Sequence, residues 1–193
     1  MRRHDLRPFV FGSLVAPAIV VAHEFGHFVV GYVLGLTPQL TYGSVKFVAS
    51  PELLKRWMVA VTAAGPAVEL VLSAAGLWWL SRARRRRPST PLTFTDWLAT
   101  SLALAAGRWL RCFTGTPANP KPEDEAFLSH ALGLPVWVLP YGLAPLSIVA
   151  VGYAISLHPK GMRLIPFSLW IAGGALGLSL WFYFLGPTLL PIS

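Results

Sequence analysis

Long stretches of this chain carry almost no charged side chain. Between Pro8 and Val45 the only acidic or basic residue is Glu24, and between Trp57 and Ser81 it is Glu69. Ala126–Leu157 and Leu164–Ser193 contain none. Each stretch exceeds the roughly 20 apolar residues that cross a bilayer core. With Leu92–Phe113 added, the pattern predicts five membrane-spanning helices, at about 9–36, 57–80, 92–113, 136–157 and 165–189. The first is long enough to tilt, and Pro17 can kink it. Its apolar run continues through Leu36, too far for a signal-peptide core. Thr37–Glu52 has short β-favouring runs around Gly43-Ser44 and reads as a possible small hairpin. A short helix is expected from Pro122 to Leu132. The fold class is therefore an all-α membrane protein, with residues 1–193 forming one integral membrane domain.

Composition strengthens this picture. Hydrophobic residues make up 54% and charged residues 12% of the chain, the latter about half the share in a soluble domain. The net charge of +8 gathers in short loops, above all Arg82, Arg84, Arg85, Arg86 and Arg87. That is the positive-inside signature of a cytoplasmic loop touching anionic lipid, and no domain is present that would turn it into a nucleic-acid surface. With five spans, the N-terminus (Arg2, Arg3, Arg7), the arginine run and Lys160–Arg163 share one side, which the rule makes cytoplasmic. The expected location is a bacterial inner membrane. Thr37–Arg56 and Thr114–Pro135 then share the opposite face. Cys112 is the single cysteine, so no internal disulfide can form.

His23-Glu24-Phe25-Gly26-His27 adds chemistry to the first span. Histidines four apart lie one above the other on a helix and can bind one zinc ion. A glutamate beside the first histidine can act as general base toward a water at that ion. Three ionisable residues deep in an apolar segment are costly in lipid unless they face a cavity or bind something. A polar cluster hydrogen-bonded to neighbouring helices is the alternative.

A catalytic zinc needs a third protein ligand. Glu123, Asp124, Glu125 and His130 lie on the face that the first span reaches after His27. Asp124 is the first choice, followed by Glu125 and His130; acidic residues here can also simply suit the start of a helix. Gly65 lies about 12 Å from its end of the second span, and His27 about 14 Å from the corresponding end of the first. A Gly65-Pro66 step at that depth permits close approach and frees a backbone carbonyl. Glu69 can orient a histidine, bind a proton or pair with another helix. Arg108 and Arg111 read as snorkelling side chains at the end of the third span.

With Ala22–His27, Gly35 and Ala64-Gly65-Pro66-Ala67-Val68-Glu69 in view, the chain resembles the site-2 protease family, M50-type intramembrane zinc metalloproteases. The resemblance covers about residues 12–80. It implies cleavage of peptide bonds in or near the membrane, His23 and His27 as zinc ligands, Glu24 as base and an aspartate as third ligand. The family's aspartate lies in an Asn-Pro…Asp-Gly pattern. Here Asn119-Pro120 precedes Asp124, Glu125 replaces the glycine, and Glu69 stands where the family usually has asparagine. The expected activity is that of a membrane zinc metalloendopeptidase acting on membrane proteins or peptides. The alternative is a non-proteolytic scaffold or regulator that keeps the fold and metal site.

Overall fold

The computed structural model describes residues 6–87, 90, 92–114, 116, 123–159 and 164–190. Asn119-Pro120, Pro122, Lys160–Arg163, Arg2 and Arg3 lie outside them. Helix α1 is Arg7–Val33, started by Pro8 in its first turn and carrying Pro17 internally. It ends where Gly35 takes φ +81°, a left-handed conformation open to glycine, and Leu36 N–H reaches back to Gly31 O at 3.0 Å. The expected hairpin is present: β1 (Thr37–Leu40) pairs antiparallel with β2 (Val45–Val48), Thr37 opposite Val48 and Leu40 opposite Val45. Thr41 closes its turn, with its hydroxyl accepting from Ser44 N–H at 3.1 Å. Gly31 lets the hairpin sit down on α1, because a Cβ there would run into the Phe47 ring.

Helix α2, Pro51–Arg86, is capped by the Ser50 hydroxyl on Leu53 N–H and ends in Arg84, Arg85 and Arg86, which suit the negative end of its dipole. At 36 residues it is about 54 Å long and outreaches a bilayer core. Helices α5 (Val138–Ser156) and α6 (Leu164–Leu180) follow later in the chain. After α6 comes a π-helical stretch, Trp181–Leu185, and a last turn, α7 (Gly186–Leu189). Among the described residues four helices are long and apolar enough to cross a membrane: Arg7–Val33, Pro51–Arg86, Val138–Ser156 and the continuous run Ile165–Leu189.

The third expected span differs. Residues 92–113 do not form one long helix. Helix α3 (Phe94–Ala103), opened by a Thr93–Asp96 capping box, passes into a 3-10 helix, Leu104–Thr114. Two carbonyls of this segment also accept from hydroxyls on other helices. Ser73 of α2 donates to Ala103 O at 2.8 Å and Ser147 of α5 to Ala106 O at 2.5 Å. Helix α4 (Glu123–Ala131), the short helix expected in this region, packs against α2 and α5.

Polarity is distributed inside out. Leu14, Val71 and Val149 are each about two-thirds exposed. His23, His27, Glu69, Ser73, Asp96, Glu125 and Ser147 are buried. Such a surface suits lipid, and such an interior satisfies its polar groups internally. Small residues bring helices α1 and α6 into backbone contact. A Cβ on Gly12 would strike Trp170 O, and Cβ atoms on Gly173 and Gly177 would strike Phe9 O and Ser13 O. The two ends of the bundle are tied separately. Trp181 donates to Tyr42 O of the hairpin turn at 2.7 Å, and Arg87 pairs with Asp96 at the other end.

Candidate metal centre

His23 and His27 are one turn apart on α1 and both point at α2. They fit because Gly65 faces them: a Cβ there would fall on His27 Nε2 and on Cε1 and Nε2 of His23. Pro66 follows inside the helix. It cannot donate to Thr62 O, and its ring distorts the turn before it. In that turn Val61 O accepts from His27 Nδ1 at 2.7 Å. The carbonyl that meets the histidine is thus Val61 O, one residue before Thr62 O, the carbonyl that the proline vacates.

This bond fixes the chemistry of His27. A carbonyl only accepts, so Nδ1 carries the hydrogen and Nε2 of the neutral ring presents a bare lone pair. His23 Nδ1 lies 3.2 Å from Glu69 Oε1, close although poorly aligned, and a carboxylate likewise only accepts. His23 Nε2 is then the second bare lone pair. The two Nε2 atoms are 3.1 Å apart. Asp124 Oδ2 completes the triangle, 3.0 Å from His23 Nε2 and 3.6 Å from His27 Nε2.

Three acceptor atoms that converge in this way repel one another unless a cation or protons lie between them. Tetrahedral zinc with bonds of about 2.0–2.2 Å sets its ligand atoms about 3.3–3.5 Å apart. The observed edges of 3.0, 3.1 and 3.6 Å bracket that spacing. The donor set is two imidazoles and one carboxylate; Val61 O is bonded behind His27, as is usual for metal-ligating histidines, and Glu69 lies close behind His23. His23, His27 and Asp124 can therefore hold a metal ion.

Asp124 is kept anionic. Burial alone would raise its pKa, but with protons rather than a metal ion on the imidazole nitrogens that face it, the bonds from His23 and His27 and the charge of Arg108 outweigh burial and hold it well below the usual carboxylate range. Glu125 and His130, the lesser candidates, do not join the cluster. Glu125 is buried, accepts from Trp109 Nε1 at 2.8 Å and from Arg108 Nη1 at 3.3 Å, and burial pushes its pKa up. His130 is exposed. Glu24 is half-buried beside His23, and its carboxylate interacts electrostatically with His23, His27, Asp124 and Arg108.

Arg108 corrects the sequence reading. It does not snorkel to a surface. Its Nη2 donates to Asp124 Oδ2 at 2.9 Å, and its Nη1 lies 3.4 Å from Glu69 Oε2 and 3.3 Å from Glu125 Oε1. One guanidinium thus joins the third candidate ligand to the carboxylate behind His23. Trp109 was also missed as the partner of Glu125. The signal for Arg108 was a charge within an apolar segment, which marks a functional group more often than a snorkelling one when it is several residues from the segment end. Comparison of the chain with protein-family models, with curated proteins and with solved structures gives no match.

Proposed function

We propose that this chain is a membrane-embedded zinc metallopeptidase, a divergent member of the site-2 protease family that hydrolyses peptide bonds of membrane-associated substrates. The observation that carries the reading is the convergence of His23 Nε2, His27 Nε2 and Asp124 Oδ2, with edges of 3.0, 3.1 and 3.6 Å and the His27 tautomer set by Val61 O behind it. Bound zinc supplies Lewis acidity toward a water and the scissile carbonyl. Glu24 accepts the proton of the attacking water and returns it to the leaving amine, so the base is regenerated when the peptide bond breaks. Glu69 and Val61 O hold the two imidazoles in register. Arg108 holds Asp124 and offsets the negative charge gathered around it.

The membrane arrangement that fits this reading has five crossings, with the N-terminus and the arginine run of α2 on the cytoplasmic side. The third crossing is then the broken segment. Its 10 α-helical and 11 3-10 residues together reach about 37 Å, enough for the bilayer core.

The deciding experiment replaces Glu24 with glutamine and measures zinc content and cleavage of a membrane-peptide substrate on the same detergent or lipid sample. Zinc is retained and turnover falls by several orders of magnitude, because the proton acceptor is lost while ligands and shape remain. Undiminished cleavage by Glu24→Gln would exclude this mechanism.

A further inference from the structure

The last two turns of α2 carry a built surface that the metal centre does not use. Trp78, Arg82 and Arg86 recur every fourth residue and so form one row along the helix; Trp79, Ala83 and Arg87 form the row beside it. These six residues line a cleft of about 340 Å³, within the range of small-molecule sites. Ala83 is buried and its small side chain leaves the floor open. The Arg82 guanidinium lies 5.7 Å over the Trp78 ring, and Arg87 is held at the rim by Asp96 at 3.2 Å. Trp78 is 66% exposed and Trp79 39% exposed. Arg84 plays another part: it is buried and donates to Thr90 O at 3.0 Å. Arg85 is exposed and does not line the cleft.

We propose that this cleft binds the phosphate headgroup of an anionic phospholipid. Arginines present planar, multi-donor forks that match phosphate oxygens, and the two indoles offer apolar walls for the glycerol and upper acyl region. Indoles sit at the headgroup level of a bilayer, and here they lie on a membrane-spanning helix one turn before its arginines. The ordering along the helix, indole toward the apolar run and guanidinium beyond it, follows the polarity of a phospholipid from chain to headgroup. A general bias toward positive charge on one side of the membrane needs arginines but no concave cleft, no Arg–Trp stack and no repeat of four.

The protein is reconstituted in nanodiscs of phosphatidylcholine with graded phosphatidylglycerol. Retained lipid is then counted by native mass spectrometry after release into mild detergent. Two single substitutions remove the same charge from the same run: Arg86→Ala inside the cleft and Arg85→Ala outside it. Wild-type protein should retain phosphatidylglycerol over phosphatidylcholine. Arg86→Ala and Trp78→Ala should weaken retention by about tenfold, the usual scale for one charge-assisted contact, whereas Arg85→Ala should leave it within about twofold of wild type. The thermal midpoint of each variant is measured beside it, and Arg82→Lys with Arg86→Lys keeps the charge while removing the planar forks. Equal losses for Arg85→Ala and Arg86→Ala would show a diffuse charge effect and overturn the proposal. So would equal retention of the two lipids, wild-type retention by the double lysine variant, or displacement of the lipid by millimolar inorganic phosphate.

Discussion

Gly65→Ala tests the centre through a residue that never touches the ion. A methyl at this position would lie 2.6 Å from His23 Nε2 and closer still to His27 Nε2, where ordinary contact begins near 3.4 Å. The His23 nitrogen would have to retreat by about 0.8 Å, several times the roughly 0.2 Å by which metal–ligand distances vary. Displacing supporting groups around a metal costs about 10- to 100-fold in affinity, and moving two ligand atoms should exceed that range. The helix itself gains, because alanine is favoured over glycine in a helix interior by about 0.5–1 kcal/mol. Losing the His27 to Val61 O bond costs about 1 kcal/mol, and crowding two buried imidazoles costs about 1–3 kcal/mol more. Gly65→Ala should therefore melt below wild type without zinc. With excess zinc it should lack the stabilisation that the wild type gains, about 2.7 kcal/mol at a hundredfold excess over Kd. Competition with a chromophoric chelator reads affinity, and melting with and without zinc reads the linkage. Wild-type zinc affinity in Gly65→Ala would refute the idea that the helix backbone seats the two imidazoles.

Asp124→Asn should lower zinc affinity together with cleavage, whereas Glu125→Gln should leave zinc affinity within about tenfold of wild type, since Glu125 faces Trp109 and Arg108; chelator competition on both variants reads the difference. Arg108→Gln removes the donor that holds Asp124 Oδ2 and should weaken zinc binding by about 10- to 100-fold without abolishing it. Gly177→Leu should lower the melting temperature and loosen the α1–α6 pair, detectable as faster proteolysis, because its side chain collides with the Ser13 backbone. Reporter fusions after Ser89 and after Ser193 should report opposite sides of the membrane. The same side for both would end the five-crossing arrangement.

The long apolar stretches were legible because lipid imposes a simple demand on length and charge, and α1, α2, α5 and α6 follow it. The hairpin was legible from Gly43-Ser44 and its flanks. The loop that holds Asp124 could be chosen because the topology carried Glu123, Asp124, Glu125 and His130 together to the face of His27, although it did not separate the four. The break at Leu104 was not legible. A segment with the composition of residues 92–113 reads as one helix, and the hydroxyls that meet its carbonyls where it changes pitch lie elsewhere in the chain, on Ser73 and Ser147. Arg108 was misread for a related cause. Its three carboxylate partners come from α2 and α4, so its environment depends on packing that no local window contains.

The hydroxyls of Ser73 and Ser147 carry a consequence for how the protein is made. They reach the carbonyls of Ala103 and Ala106, filling a lone pair that a helical bond leaves over. Ser73 is already in place when the third segment emerges during synthesis, but Ser147 comes 41 residues after Ala106. Until α4 and α5 arrive, the segment lacks the Ser147 bond and holds an arginine whose carboxylate partners on α4 are not yet docked. It is a poor candidate to leave the insertion machinery alone. The first two helices and the last two should partition into lipid on their own, while the middle segment waits to be inserted with α5 as a unit. A nascent chain stalled just after Thr114 should accordingly remain extractable or be degraded, and one stalled after Ser156 should not.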